Sequence, residues 1–116
     1  MWEVIDVANA ETLAEGRFRK VRRALGATAF GINQVDLGPG EAGREHDESD
    51  TGHEEVYVVL SGSGTMVIDG EEVELHAGRY LLVSADARRK PVAGADGLSL
   101  VAVGARPGDW QGRATL

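Results

Sequence analysis

Residues 40 to 62 read GEAGREHDESDTGHEEVYVVLSG, and this stretch decides the fold. It opens as a polar, acidic loop in which His46 and Glu48 stand two positions apart. Glu55 follows, and it precedes an apolar run from Val56 to Leu60 that ends at a glycine-bounded turn. A histidine and carboxylates held by neighbouring strands are the ligands that a divalent metal needs. The stretch therefore predicts a β fold that carries a polar site.

The strand after this loop is apolar on both faces. Successive side chains of a strand point to opposite sides. One side therefore holds Glu55, Tyr57 and Val59, and the other holds Val56, Val58 and Leu60. A strand that is apolar on both faces is covered on both faces. The interior of the fold supplies one cover, and we expect a second subunit to supply the other in a symmetric homodimer.

The rest of the chain is also typical of β structure. Predicted strands cover Trp2–Val7, Phe18–Arg23 (an edge strand), Ala27–Leu37, Thr65–Ile68, Glu71–Leu75, Tyr80–Val83 and Leu98–Val103. Asn9–Glu15 is at most one helical turn. Predicted turns lie at Ser61–Gly64, at Asp69-Gly70 and at Gly94–Gly97. Short strands separated by glycine-rich turns indicate an all-β sandwich or barrel.

Length and composition restrict the kind of protein. A chain of 116 residues is the size of a single domain. The net charge of −7 argues against nonspecific nucleic-acid binding, and no apolar stretch reaches the ~20 residues of a membrane span. Cysteine is absent, which fits a reducing compartment. We therefore expect a cytoplasmic protein with no nucleic-acid or membrane partner.

The opening stretch resembles the first sequence motif of the cupin superfamily, whose members are small jelly-roll β-barrels. That motif reads Gly, five residues, His, one, His, three or four, Glu, six, Gly. Gly40 and His46 match its beginning, and Glu55 and Gly62 match its end. Glu48 stands where the second His belongs, and six residues separate it from Glu55. The first motif thus keeps the frame at both ends and departs from it at one ligand and in the spacing before Glu55.

The second cupin motif is almost lost. It reads Gly, five, Pro, one, Gly, two, His, three, Asn, and counting from Gly78 gives Ser84, Asp86, Arg89 and Ala93. Only the first glycine survives, and Arg89 holds the position of the last metal-binding His. The resemblance spans about residues 35 to 105, after an N-terminal strand segment of residues 1 to 34. It implies one cupin-type jelly-roll barrel (a double-stranded β-helix) over residues 1 to 116.

The resemblance also implies a site with an altered charge balance. Cupins hold a metal such as iron, manganese, nickel, copper or zinc with three imidazoles and one carboxylate. The matching positions here offer His46, Glu48 and Glu55, with Arg89 in the fourth place. Arginine only donates hydrogen bonds and cannot ligate a metal. We therefore expect Arg89 to replace the charge of the metal through a bidentate ion pair with one of the two carboxylates.

Three hypotheses of function follow. The first is a small-molecule-binding cupin without chemistry, whose barrel takes a small polar ligand between Arg44, His46, Glu48, Glu55, Tyr57 and Arg89. The second is an oxygenase or isomerase with one iron, manganese or zinc ion, held by His46, Glu55 and either Glu48 or His53. His53 lies two residues before Glu55 and is otherwise a loop residue at the rim of the barrel. The third is a structural dimer with a solid core.

Overall fold

The computed structural model describes all of residues 1 to 116. Seven strands form one connected antiparallel sheet: β1 (Thr12–Leu13), β2 (Phe18–Arg19), β3 (Gly31–Leu37), β4 (Glu54–Ile68), β5 (Glu71–His76), β6 (Tyr80–Val83) and β7 (Arg89–Ala105). The helical parts are α1 (Val21–Leu25) and two short 3-10 turns, Val7–Asn9 and Ala14–Gly16. None of them is long and apolar enough to cross a membrane. The predicted all-β fold is confirmed.

Two long strands organise the sheet. β4 and β7 pair along almost their whole length, from the Glu54–Ala105 pair to the Ile68–Arg89 pair. The first half of β4 also pairs with β6, and the second half pairs with β5. β3 lies on the other side of β7, and β2 and β1 continue the sheet from there. Because β4 and β7 bend midway, the sheet folds back on itself and encloses an interior.

The bend lies where turns were predicted. The prediction of turns at Ser61–Gly64 and Gly94–Gly97 was wrong. The chain does not reverse at either segment, because β4 continues through the first and β7 through the second. The register instead shifts between the Gly62–Leu98 and Gly64–Ala93 pairs. At Gly62 φ is +77°, and a Cβ atom there would lie 2.1 Å from the carbonyl oxygen of Gly97. Glycine is needed here for a bulge and a close backbone approach, whereas Asp69-Gly70 does form the predicted hairpin turn.

The N-terminal segment is less regular than predicted. Residues 2 to 6 form no strand, and only Phe18 and Arg19 of the predicted edge strand pair with β3. Helix α1 takes residues 21 to 23 of that segment. Its basic residues are exposed, so the alternation of Val21 with arginines reflected one helical turn rather than a strand.

The predicted alternation along β4 is confirmed. Tyr57 and Val59 are buried in the core with Met66, Leu75, Leu100 and further apolar residues of the sheet. Leu60, on the opposite face, is half exposed. Glu55 shares the inner face with Tyr57, which places its carboxylate at one end of the interior.

Candidate functional site

A polar network centred on Glu55 closes one end of the barrel interior. Arg89, at the start of β7, is fully buried, and its Nη2 donates to Oε1 of Glu55 at 3.1 Å. Its Nε donates to the Tyr57 hydroxyl at 3.1 Å, and that hydroxyl donates to the same Glu55 oxygen at 2.7 Å. The expected ion pair between Arg89 and a carboxylate is therefore present, although it uses one carboxylate oxygen rather than two.

The second guanidinium nitrogen ties the network to the backbone. Nη1 of Arg89 donates to the carbonyl oxygens of Ser84 (3.2 Å) and Ala87 (2.6 Å), in the segment between β6 and β7. A buried cation needs most of its donors paired, and Arg89 meets this need with protein groups. Arg89 and Tyr57 thus hold Glu55 from behind and are not themselves available to a ligand.

His46 brings the loop to the same carboxylate. It lies in an isolated bridge with Arg89, in which each backbone N–H donates to the other residue's carbonyl at 2.8–3.0 Å. Nε2 of His46 lies 3.1 Å from Oε1 of Glu48 and 3.8 Å from Oε1 of Glu55. Nδ1 lies 3.2 Å from the carbonyl of Arg44. The backbone pairing therefore fixes where the imidazole meets both carboxylates.

The ionisation states follow from these contacts. Burial on its own would raise the pKa of Glu55, but the neighbouring His46 ring, the hydrogen bond from Tyr57 and the charge of Arg89 lower it below its ordinary value. The neighbouring Glu55 carboxylate raises the pKa of His46 against the opposing effect of burial, and the Arg44 carbonyl and the Glu48 charge add to the rise. Burial and Glu55 raise the pKa of Tyr57. Glu55 is therefore a carboxylate at neutral pH, and Tyr57 is a donor.

One oxygen of Glu55 has no hydrogen-bond or ion-pair partner in the protein. Every hydrogen bond and ion pair of this side chain uses Oε1. Gly104 lies opposite Glu55 in the register of β7, and Gly31 lies opposite Gly104 in that of β3. A Cβ atom on Gly104 would come within 3.6 Å of Oε2 of Glu55. Because Gly31 and Gly104 have no side chains, there is room beside Oε2 of Glu55.

That room is part of a cavity of about 630 Å³ at the mouth of the barrel. Its walls include Arg22, Phe30, Asn33, Glu48, His53 and Glu55. Sequence reasoning missed Asn33, Gly31 and Gly104. A glycine within a predicted strand was the available signal, because it often marks a close approach of a ligand or of another backbone.

The predicted site residues separate into three groups. His46, Glu48, Glu55, Tyr57 and Arg89 come together as described. The side chain of Arg44 is exposed, joins no hydrogen bond or ion pair and does not line the cavity, so its predicted contact with a ligand stays a prediction. His53 lines the cavity but stands outside the cluster of metal-ligating atoms that His46, Glu48 and Glu55 form within 4.8 Å.

The donor set does not fit the four-ligand cupin centre. It offers one imidazole and two carboxylates, and a guanidinium takes the fourth place. Glu55 Oε1, the oxygen nearest His46, already accepts from Arg89 and Tyr57. A dication bound to that oxygen would lie beside the positive charge of Arg89, which would repel it.

Comparison with known proteins gives the same picture of the fold. A dimethylsulfoniopropionate lyase from Ruegeria pomeroyi is 40% identical over 64 residues, which are 55% of this chain and only 40% of that enzyme. A cupin protein of known structure from Bacteroides fragilis superposes with a TM-score of 0.80 at 25% identity, covering 98% of this chain and 92% of that one. A sugar phosphate isomerase of the cupin superfamily from Silicibacter pomeroyi superposes with a TM-score of 0.70 at 21% identity, over 90% and 76% of the two chains, and shows the fold alone. The family model described as the cupin domain matches residues 33–103, which is more than half of the chain, and the protein therefore belongs to the cupin domain family.

Proposed function

We propose that this cupin domain binds a small polar ligand in the cavity at the barrel mouth, without a metal ion. One observation carries the proposal: Glu55 is held by Arg89 and Tyr57 through Oε1, while its Oε2 has no partner and lies beside Gly104, which has no side chain. A fixed, ionised acceptor in a preformed cavity orients a ligand at little entropic cost. The cavity volume suits a small molecule.

The charge balance supports a ligand rather than a metal. Arg89 provides the positive charge that a buried carboxylate needs. His46 and Glu48 form a second pair beside it. The site is therefore balanced by its own side chains, and a ligand can bind through hydrogen bonds to Oε2 without first neutralising the carboxylate.

A cavity-filling variant tests the proposal. Gly31→Val adds a side chain at the cavity wall, and its Cβ would meet only the Gly104 carbonyl, at an ordinary 3.6 Å. We expect thermal melts of wild type with a panel of sugars, hydroxy acids, amino acids and betaines to show stabilisation by at least one compound, and Gly31→Val to abolish it. Gly70→Ala, in the hairpin turn outside the cavity, is the control. If no compound stabilises wild type, or if Gly31→Val is stabilised equally, the cavity is not a binding site.

A second candidate is a metal-dependent enzyme, an oxygenase, an isomerase or a lyase. The three ligating atoms of His46, Glu48 and Glu55 within 4.8 Å favour it, and so does the similarity to an enzyme that acts on dimethylsulfoniopropionate. Metal analysis of untagged protein separates the two candidates. We expect wild type to bind neither manganese nor zinc, and Arg89→His, which supplies a further imidazole, to gain stabilisation by one of them. About one equivalent of tightly bound metal in wild type would reverse the order of the candidates.

A further inference from the structure

The cavity contains polar side chains that have no partner within the chain. Asn33 lies on the inner face of β3, where its register partner on β7 is Ala102, and it lines the cavity. Its amide group makes no hydrogen bond with another residue, unlike that of Gln34 on the opposite face, which donates to Asp36. The hydroxyl of Thr28, on the same cavity wall, is also without a partner. An amide supplies two donors and an acceptor, and a hydroxyl supplies one donor and an acceptor.

These groups complement Glu55. Oε2 of Glu55 only accepts, whereas Asn33 and Thr28 both donate and accept. The cavity wall therefore matches a ligand with several hydroxyl groups, each of which also donates and accepts. Phe30, with 44% of its surface exposed, adds an apolar face to the same cavity. A hydroxylated carbon chain has both surfaces that this wall requires, a polar edge and a C–H face.

One cation of the cavity is not paired with an acid. Arg22, in α1, donates from Nη1 to the carbonyl of Ala27 at 3.1 Å and meets no carboxylate. Its neighbour Arg23 pairs with Glu11 at 3.6 Å and is not part of the cavity wall. Arg106 lines the cavity too, but Asp109 is its partner. A guanidinium with free donors in a cavity matches a carboxylate of the ligand.

We propose that the ligand is a small hydroxylated carboxylic acid, with hydroxyl groups on Glu55 Oε2 and Asn33 and with its carboxylate on Arg22. This inference rests on the proposed binding function and adds the class of ligand. A site built from unpaired polar groups discriminates strongly against analogues that lack the matching hydroxyl, because its own groups then lose water without gaining a partner. The hydroxyl groups rather than the chain length should therefore control affinity.

Calorimetric titrations with matched acids test the class. The probes are glycerate, threonate and gluconate, with hexanoate as the acid without hydroxyls, glucose as the neutral polyol and glycine betaine as a zwitterion. We expect at least one hydroxy acid to bind, and hexanoate to bind roughly 100-fold more weakly or not at all. Asn33→Leu and Arg22→Gln should each weaken the hydroxy acid by about 10-fold or more, and Arg23→Gln should leave its affinity unchanged.

Each other outcome overturns a defined part of the inference. Equal binding of hexanoate refutes recognition of the hydroxyls, and equal binding of glucose, or an equal loss in Arg23→Gln, refutes the carboxylate contact with Arg22. If glycine betaine binds and the hydroxy acids do not, the proposed class of ligand is wrong. If all three hydroxy acids fail while another polar compound binds and Gly31→Val abolishes that binding, the class is wrong and the binding function stands. If nothing binds, the binding function itself fails.

Discussion

Removing the guanidinium of Arg89 should destabilise the fold through the carboxylate that it leaves behind. Arg89 is fully buried, and the Glu55 side chain is only 15% exposed. Breaking a buried ion pair by removing one partner costs about 3–5 kcal/mol. Because Glu55 retains Tyr57 and His46 and reaches the open cavity, we expect Arg89→Met to cost about 3 kcal/mol, at the lower end of that range. For a chain of this length the melting temperature should fall by roughly 12 °C.

Urea denaturation at pH 7 measures this cost against two further variants. Arg88→Met is the matched control, because Arg88 is half exposed and its nearest carboxylate oxygens lie 3.7–3.9 Å away. Its loss should change stability by about 0.5 kcal/mol or less. The double variant Arg89→Met/Glu55→Gln removes both charges, and we expect it to be more stable than Arg89→Met alone by about 1 kcal/mol or more.

The pH dependence gives an independent check. In the folded protein the pKa of Glu55 is lowered, so the carboxylate stabilises the fold above its unfolded pKa of about 4, and this contribution is lost as pH falls through the lower folded value. Without Arg89, burial still raises the pKa of Glu55 and the opposing charge is gone. The stability difference between wild type and Arg89→Met should therefore shrink in acid. A cost below about 1 kcal/mol, or single-variant costs that simply add in the double variant, would refute the buried-pair reasoning.

Three further predictions address other parts of the molecule. Gly62→Ala should cost far more than Gly70→Ala in urea denaturation, because both glycines have positive φ but only at Gly62 would the Cβ strike backbone; equal costs would refute the bulge argument. We propose that the outer face of β4 is the interface of a homodimer, so light scattering should give twice the 12.3 kDa chain mass. Val58→Asp should yield a monomer, whereas Leu13→Asp should not. A monomeric wild type would contradict the homodimer. NMR titration should place the pKa of His46 above its usual 6.5. The stability that protonated His46 contributes is then complete below pH 6.5 and is lost as pH rises through the folded pKa. Glu55→Gln should lower the pKa of His46, and an unchanged pKa would contradict the contact between His46 and Glu55.

Local patterns predicted the strands of the barrel well and its bends poorly. The alternation from Glu55 to Leu60 correctly gave the inner face of β4, because period-2 patterning depends only on the pleat of a strand. The glycines near positions 62 and 97 were interpreted as chain reversals because glycine marks turns and bulges alike. Which of the two occurs depends on the partner strand, and the pairing of Gly62 with Leu98 is a long-range contact that no local pattern contains.

The candidate site was predictable where motif spacing applied. The frame of Gly40, His46 and Glu55 correctly brought His46 to Glu55, and counting from Gly78 correctly brought Arg89 to the same carboxylate. Arg44 was also predicted to contact the ligand, but its side chain is exposed and does not line the cavity. The cavity wall formed by β3 was not predicted, because its polar residues match no sequence motif. They line the cavity only because β3 pairs with β7, which is a long-range contact.

The exchange of a metal ligand for Arg89 changes what kind of site the barrel can offer. A bound metal leaves coordination positions open toward a substrate, whereas the guanidinium directs every identified hydrogen bond to protein groups: Tyr57, Glu55 and two carbonyls. Arg89 therefore supplies charge without supplying reactivity. What faces the cavity is the free oxygen of Glu55, an ionised acceptor whose position is fixed from behind. Recognition of a ligand through hydrogen bonds to such a group needs no ion, and for this reason we favour ligand binding over metal-dependent catalysis.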